Sequence, residues 1–232
     1  MALRSVRLPA LLEVRGLVHG FEQRSARARA ETRGDTRTRV LEALRPHGRL
    51  HLLRQVHGAG VAAAPFSGRP EADAATASAP GLLLGIETAD CLPILLVDPE
   101  LRLVAAAHAG WRGTARGVAR AAVLALLDLG SRPEALIAAL GPGIGPCCYE
   151  VGDELRGAFG PLADSVFRPG PRGRPHLDVR EANVRQLREA GLRPERLHHV
   201  RDCTCCTPEL YHSYRRDGPD AGRMISYVGF AG

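Results

Sequence analysis

GIETADCLPILLVDPELRLVAAAHAGWRGT, residues 85–114, spells out a hairpin and the entry to a helix. A strand begins near Cys91, Asp98-Pro99-Glu100 turns the chain, and a second strand returns from Leu101. Gly110-Trp111-Arg112-Gly113 then leads into a helix. Pairing Asp98 with Leu101 across the turn sets Cys91 directly opposite His108. Side chains opposed in this way share one face, with Cβ atoms about 4.5–5.5 Å apart, close enough to share a proton or a metal ion. Pro99 loosens the register by a residue, because its fixed φ excludes the positive φ of the tightest hairpin turns.

Around this unit, 232 residues are enough to bury a full core. An apolar content of 45% fits a globular protein, and no apolar run approaches the roughly 18 residues that span a bilayer. Glu13 interrupts the arginine-flanked apolar patch of residues 1–14 before it reaches signal-peptide length, so a cytoplasmic protein is expected. The 31 basic residues are all arginine, which excludes Schiff-base and P-loop lysine chemistry. The net charge of +6 is spread along the chain without a nucleic-acid-binding motif, so neither nucleic acid nor membrane is expected as a partner.

Outward from the hairpin, strands are expected over 11–18, 50–56, 61–64, 82–86, 137–140, 198–200 and 224–228. Helices are expected over 40–44, 113–129, 152–159 and 180–190. Residues 65–80 and 168–175 read as loops, and residues 22–39 as a solvated loop or the lead into the helix over 40–44. Strand 91–97 is apolar on both faces and so is expected to be covered on both sides, with Pro93 marking an edge or bulge beside Cys91. No repeat or linker divides the chain, and residues 1–232 read as a single domain.

His57 lies where a strand meets a glycine turn and joins Cys91 and His108 as a candidate. One thiolate and two imidazoles suit Zn²⁺ in a site that keeps an open position, where bound water becomes nucleophilic near neutral pH. Two other readings stand beside it: a buried thiol with packed imidazoles, and a Cys91/His108 nucleophile–base pair. Asp90 is a candidate acid/base group, although strand alternation turns it away from Cys91. Arg112, Arg215 and Arg216 are candidate anion ligands, against surface ion pairs or a solvated turn. Trp111 suits base stacking or the core. Cys147, Cys148, Cys203, Cys205 and Cys206 read as buried thiols, with a second metal site as the competing reading.

The segments QVHG (55–58), DAAT (73–76), TADCLPILL (88–96), AHAGWRGT (107–114), GPGIGPCCYEVG (141–152), LDV (177–179), CT (203–204) and YHSYRRDG (211–218) together resemble the YfiH-like family. This is also called the multicopper polyphenol oxidoreductase (laccase) domain family. The resemblance covers most of residues 50–230. It implies an α/β (α+β) protein with a four-layer α/β/β/α fold of mixed sheets, shared with cytotoxic-necrotizing-factor-type cysteine hydrolases. It implies zinc on His57, Cys91 and His108. It further implies phosphorolysis of inosine, adenosine and methylthioadenosine, with adenosine deaminase activity, so that a purine nucleoside and phosphate are the expected partners.

The older laccase label implies copper. A blue-copper site generally adds a weak axial methionine; only Met1 and Met224 exist, and neither is near the motifs. The remaining histidines (His19, His47, His51, His176, His198, His199, His212) form no copper cluster, so copper polyphenol oxidation is the weaker reading. A cysteine hydrolase built on Cys91 and His108, acting on an amide or ester such as a cell-wall precursor, is the alternative enzyme. A metal-binding partner module is the non-enzymatic one. Residues 21–39 depart from the family pattern. They are arginine-rich where the family has a glycine-rich segment with serine and asparagine, and the one asparagine in the chain is Asn183.

Overall fold

The computed structural model describes residues 3–24, 33–171 and 173–232. In chain order the elements are β1 (Ser5–Val6), α1 (Pro9–Leu12), β2 (Leu17–Glu22), α2 (Arg33–Leu44), β3 (Arg49–Leu52), β4 (Val61–Ala63), β5 (Ala74–Ala77), β6 (Leu82–Thr88), β7 (Leu92–Asp98) and β8 (Leu103–Ala109). They continue with α3 (Trp111–Ala115), α4 (Val118–Asp128), β9 (Ile137–Leu140), α5 (Arg156–Phe159), α6 (Ala163–Val166), β10 (Phe167–Pro169), β11 (Pro175–Leu177), α7 (Val179–Glu189), β12 (Leu197–His199), α8 (Tyr214–Asp217) and β13 (Met224–Phe230). The strands form a five-stranded mixed sheet, β1-β2-β13-β6-β3, and a six-stranded mixed sheet, β12-β9-β7-β8-β5-β4, with β10-β11 as a separate ribbon.

Strand alternation explains why these sheets stack. In β7, Leu95 and Val97 face the inter-sheet core with Leu84, Ile86 and Val228 of the other sheet. Ile94 and Leu96 point the opposite way, onto Val118, Ala122 and Leu126 of α4 and Ala182 and Leu187 of α7. The five-stranded sheet is covered on its far side by Val40 and Leu44 of α2. The result is the four-layer α/β/β/α order expected above, with β7 buried along its whole length. No helix among the described residues is long and apolar enough to cross a membrane.

The hairpin register differs from the sequence expectation. Asp98 pairs with Leu103, not Leu101, and His108 pairs with Pro93. The turn is two residues longer because Pro99 forbids the short primed turns. Asp98 Oδ1 instead accepts the backbone N–H groups of Glu100 and Leu101, at 3.0 and 2.9 Å, and Arg102 takes φ = 55°. A shift of two residues keeps every side chain on its face, so Cys91 and His108 still meet at one end of the sandwich.

Pro93 lies in a central strand between β8 and β9, not at an edge. Its carbonyl accepts from Gly141 N–H, and the β9 ladder begins only at Ile94. At this position the ring nitrogen cannot return a bond to the Gly141 carbonyl, which accepts from the Arg180 guanidinium at 3.0 Å instead.

Other boundaries moved for local reasons. The strand expected over 11–18 divides into α1, with Pro9 in its first turn, and β2. The loop expected over 65–80 contains β5, whose small residues are all buried. The helix expected over 113–129 breaks at Gly117 (φ = 78°) into α3 and α4. Residues 33–39 do lead into the helix, as the first turns of α2, whereas residues 25–32 lie outside the described residues.

Candidate metal centre and cleft

His57, Cys91 and His108 come from three separate places in the chain and meet at one end of the inter-sheet core. His108 is the penultimate residue of β8, Cys91 immediately precedes β7, and His57 sits in the turn after β3. Each offers one ligand atom, and these atoms lie within 4.8 Å of one another. Cys91 Sγ is 4.0 Å from His57 Nε2. The two imidazole rings stand edge to face, with centroids 4.8 Å apart.

One carboxylate organises this convergence. Asp73, fully buried at the start of β5, accepts His108 Nδ1–H at 2.8 Å. It also accepts the backbone N–H groups of Val56, His57 and Gly58, at 3.1, 2.9 and 2.6 Å. A single side chain thus fixes the His108 ring with Nε2 left for the shared point, and clamps a turn in which His57 takes φ = 59°. Burial works against charge on Asp73, yet the His108 hydrogen bond and the turn amides hold its pKa below the usual carboxylate value. Sequence reasoning placed Asp73 in a loop and gave it no role. The DAAT motif was the available signal, but the carboxylate's partners lie 15 to 35 residues away.

The same burial acts on the ligands. Desolvation alone would push the Cys91 thiol up, but the neighbouring His108 and His57 imidazoles bring it down to about 6. His108, which burial alone would lower, is raised to about 9 by Cys91 and Asp73. The pair therefore favours a thiolate beside a charged imidazole. Gly110 completes the fit, since a Cβ there would lie 2.9 Å from Cys91 Sγ and 3.0 Å from His57 Cδ2. Two nitrogens, one sulfur, this spacing and a carboxylate behind one imidazole match the donor set of a three-ligand zinc site with one position open.

The centre opens onto a cleft of about 780 Å³, within the range of small-molecule sites. Arg112 lines it from α3, with its guanidinium 4.3 Å from the centroid of the Trp111 ring. Arg215 lines it from α8, donating to the Glu150 carbonyl at 2.8 Å and lying 5.3 Å from the Tyr149 ring centroid. Trp111 is half-buried at the cleft and also packs on the helix-side core.

Arg216 is placed differently from the anion ligand expected of it. Its guanidinium donates to Asp217 and to the carbonyls of Thr204, Cys205 and Tyr211, and it does not line the cleft. Asp90 does reach the cleft, with φ = 91°, but both carboxylate oxygens are engaged. One accepts Thr204 Oγ1–H at 2.6 Å and the other accepts Arg215 N–H at 2.7 Å.

At the opposite rim Glu87 receives Arg37 in two parallel bonds, at 2.7 and 3.0 Å, and also pairs with Arg69. Its backbone is locked by Gln55, which both donates and accepts at 2.8 Å. Sequence reasoning singled out none of Arg37, Arg69 and Glu87 because they lie on separate elements and carry no motif.

Residues 24–231 match the family model described as "Multi-copper polyphenol oxidoreductase laccase". The chain is 41% identical over 177 residues to "Purine nucleoside phosphorylase" of Deinococcus radiodurans, covering 76% of this chain and 68% of that protein. It is 38% identical over 160 residues to "Adenosine deaminase RL5" of an unknown prokaryotic organism, covering 67% of this chain and 61% of that protein. The crystal structure of YlmD from Geobacillus stearothermophilus superposes with a TM-score of 0.83 at 31% identity, covering 94% of this chain and 93% of that one.

Proposed function

Since the chain belongs to the multi-copper polyphenol oxidoreductase laccase family, we propose that it is a cytoplasmic, single-domain zinc enzyme of purine nucleoside salvage. Its main reaction is phosphorolysis of inosine, adenosine and methylthioadenosine, with deamination of adenosine as a side activity. The observation that carries this reading is the convergence of His57, Cys91 and His108 on a cleft that Arg112 and Arg215 also line.

His57, Cys91 and His108 would hold the ion, and a bound ion would supply Lewis-acid chemistry in the cleft. Arg112 and Arg215 hold inorganic phosphate through charge-assisted N–H donors. A phosphate oxygen attacks the anomeric carbon, the bond from that carbon to the base nitrogen breaks, and the electron pair departs with the base. Trp111 and Tyr149 present aromatic faces against which a purine stacks. Asp90 acts here as a positioning residue: its bond to the Arg215 N–H holds that arginine at the rim. In the deamination, water attacks the purine carbon that bears the exocyclic amine, the bond from that carbon to the amine nitrogen breaks, and the amine takes the water's proton and leaves as ammonia.

Zinc is preferred over copper on the donor set. An electron-transfer copper site adds a long axial methionine, and Met224 pairs with Thr88 in the sheet without lining the cleft.

A second reading has a specific observation behind it. His108 stands between Cys91 and Asp73, the order of a nucleophile, base and orienting acid. A cysteine hydrolase would need that triad but not His57. Both readings are tested by incubating zinc-loaded protein with inosine, with and without phosphate, and following hypoxanthine by chromatography. Phosphate-dependent hypoxanthine that disappears in His57→Ala is expected. Metal-replete protein that releases no base from any purine nucleoside overturns the salvage reading. Ester or amide hydrolysis that survives His57→Ala and is lost in Cys91→Ala establishes the hydrolase.

A further inference from the structure

We propose that Cys147, Cys148, Cys203 and Cys206 form a second metal site, a structural tetrathiolate zinc that ties two loops together behind the cleft. The four sulfurs lie within 4.8 Å of one another. Cys148 Sγ is 3.2 Å and Cys147 Sγ 3.6 Å from Cys206 Sγ. A tetrahedral zinc with Zn–S bonds of about 2.3 Å sets its sulfurs about 3.8 Å apart. The observed spacing is therefore close to that around a single ion. Polynuclear iron–sulfur clusters hold their cysteines farther apart.

The sequence reading of these cysteines as buried thiols does not hold. All are free, Cys147 and Cys206 are exposed, and Cys148 and Cys203 are half-buried.

The backbone is built around the cluster. Gly143 and Cys203 form a parallel bridge, and Thr204 N–H donates to the Gly143 carbonyl at 3.2 Å. Gly145 N–H donates to Cys203 Sγ at 3.2 Å, the kind of amide–sulfur bond that stabilises a metal thiolate. A Cβ on Gly145 would stand 3.2 Å from Cys147 Sγ, so glycine leaves the sulfurs room. Arg180 donates to the Gly141 carbonyl, and Arg216 to the carbonyls of Thr204 and Cys205. Two guanidiniums thus flank the loops that would carry a dianionic ZnS₄ unit. On the cleft side Thr204 bonds Asp90, and Tyr149 follows Cys148. The ion would therefore brace the wall that presents Tyr149 and Arg215.

The site does not depend on the reaction proposed above, and its test reads metal alone. Wild-type protein is expected to hold two zinc atoms per chain by elemental analysis, and His57→Ala one tightly held zinc. X-ray absorption on that one-zinc variant is expected to show four sulfurs at about 2.3 Å. Adding Cys203→Ala and Cys206→Ala to His57→Ala removes the remaining zinc. Should that variant not fold, the absorption spectrum of His57→Ala decides by itself. A mixed nitrogen–sulfur shell, a zinc-free His57→Ala protein with all its thiols titratable, or a disulfide between any two of the four overturns the proposal.

Discussion

At the scale of single residues the candidate centre depends on two residues outside the ligand set. Asp73 both orients His108 and holds the turn carrying His57, so Asp73→Asn keeps the size and weakens both functions. Zinc affinity measured against a competing chelator is expected to fall about 10- to 100-fold; an unchanged affinity would show that Asp73 does not orient the ligands. Gly110 leaves the space that Cys91 and His57 occupy. Gly110→Ala is expected to lose zinc at His57/Cys91/His108 while its circular dichroism stays that of the wild type, and full retention of that zinc would contradict the fit. Neither residue was legible as part of the site, because a carboxylate and a glycine have many other uses. Cys91 and His108 were legible because few roles need a thiol and an imidazole at one end of a hairpin.

At the scale of elements the hairpin carried the most information and also the clearest error. Apolar residues on both faces of β7 predicted a strand covered on both sides, and the two cores that flank it agree. The turn length was misjudged because Asp98 closes the loop with its side chain, which strand periodicity does not register. The single helix expected over 113–129 became two for a comparable reason. Gly117 takes φ = 78°, and a Cβ added there would meet nothing within 4 Å. Gly117→Ala therefore isolates the cost of the left-handed backbone, about 1 kcal/mol. A urea midpoint that does not fall would mean that the α3–α4 break does not require a left-handed residue.

At the scale of the whole molecule, acid should loosen the fold through a histidine far from the cleft. His19, 2% exposed on β2, accepts the Leu8 N–H at its Nε2 and is therefore neutral. Burial, followed by the charge of Arg7, lowers its pKa from 6.5 to about 4. The unfolded chain binds the proton near 6.5 and the folded chain only near 4, so stability is fully present above 6.5 and falls as the pH drops toward 4. The loss is bounded at roughly 3 kcal/mol. In denaturant titrations His19→Gln is expected to reduce that acid-dependent loss; an equal slope in variant and wild type would remove His19 from the account. By itself the sequence pointed to a strand covered on both faces and to a thiol and two imidazoles beside strand ends as candidate ligands, because local periodicity and side-chain chemistry are written residue by residue; the four layers were implied by the family resemblance. Only the tertiary structure decided that Asp73 serves the His108 imidazole and the His57 backbone together, that Arg216 is spent on carbonyls, and that four cysteine sulfurs from two loops lie within 4.8 Å of one another. Those outcomes follow from where chain segments separated by tens of residues come to rest, and that is set by the packing of the two sheets.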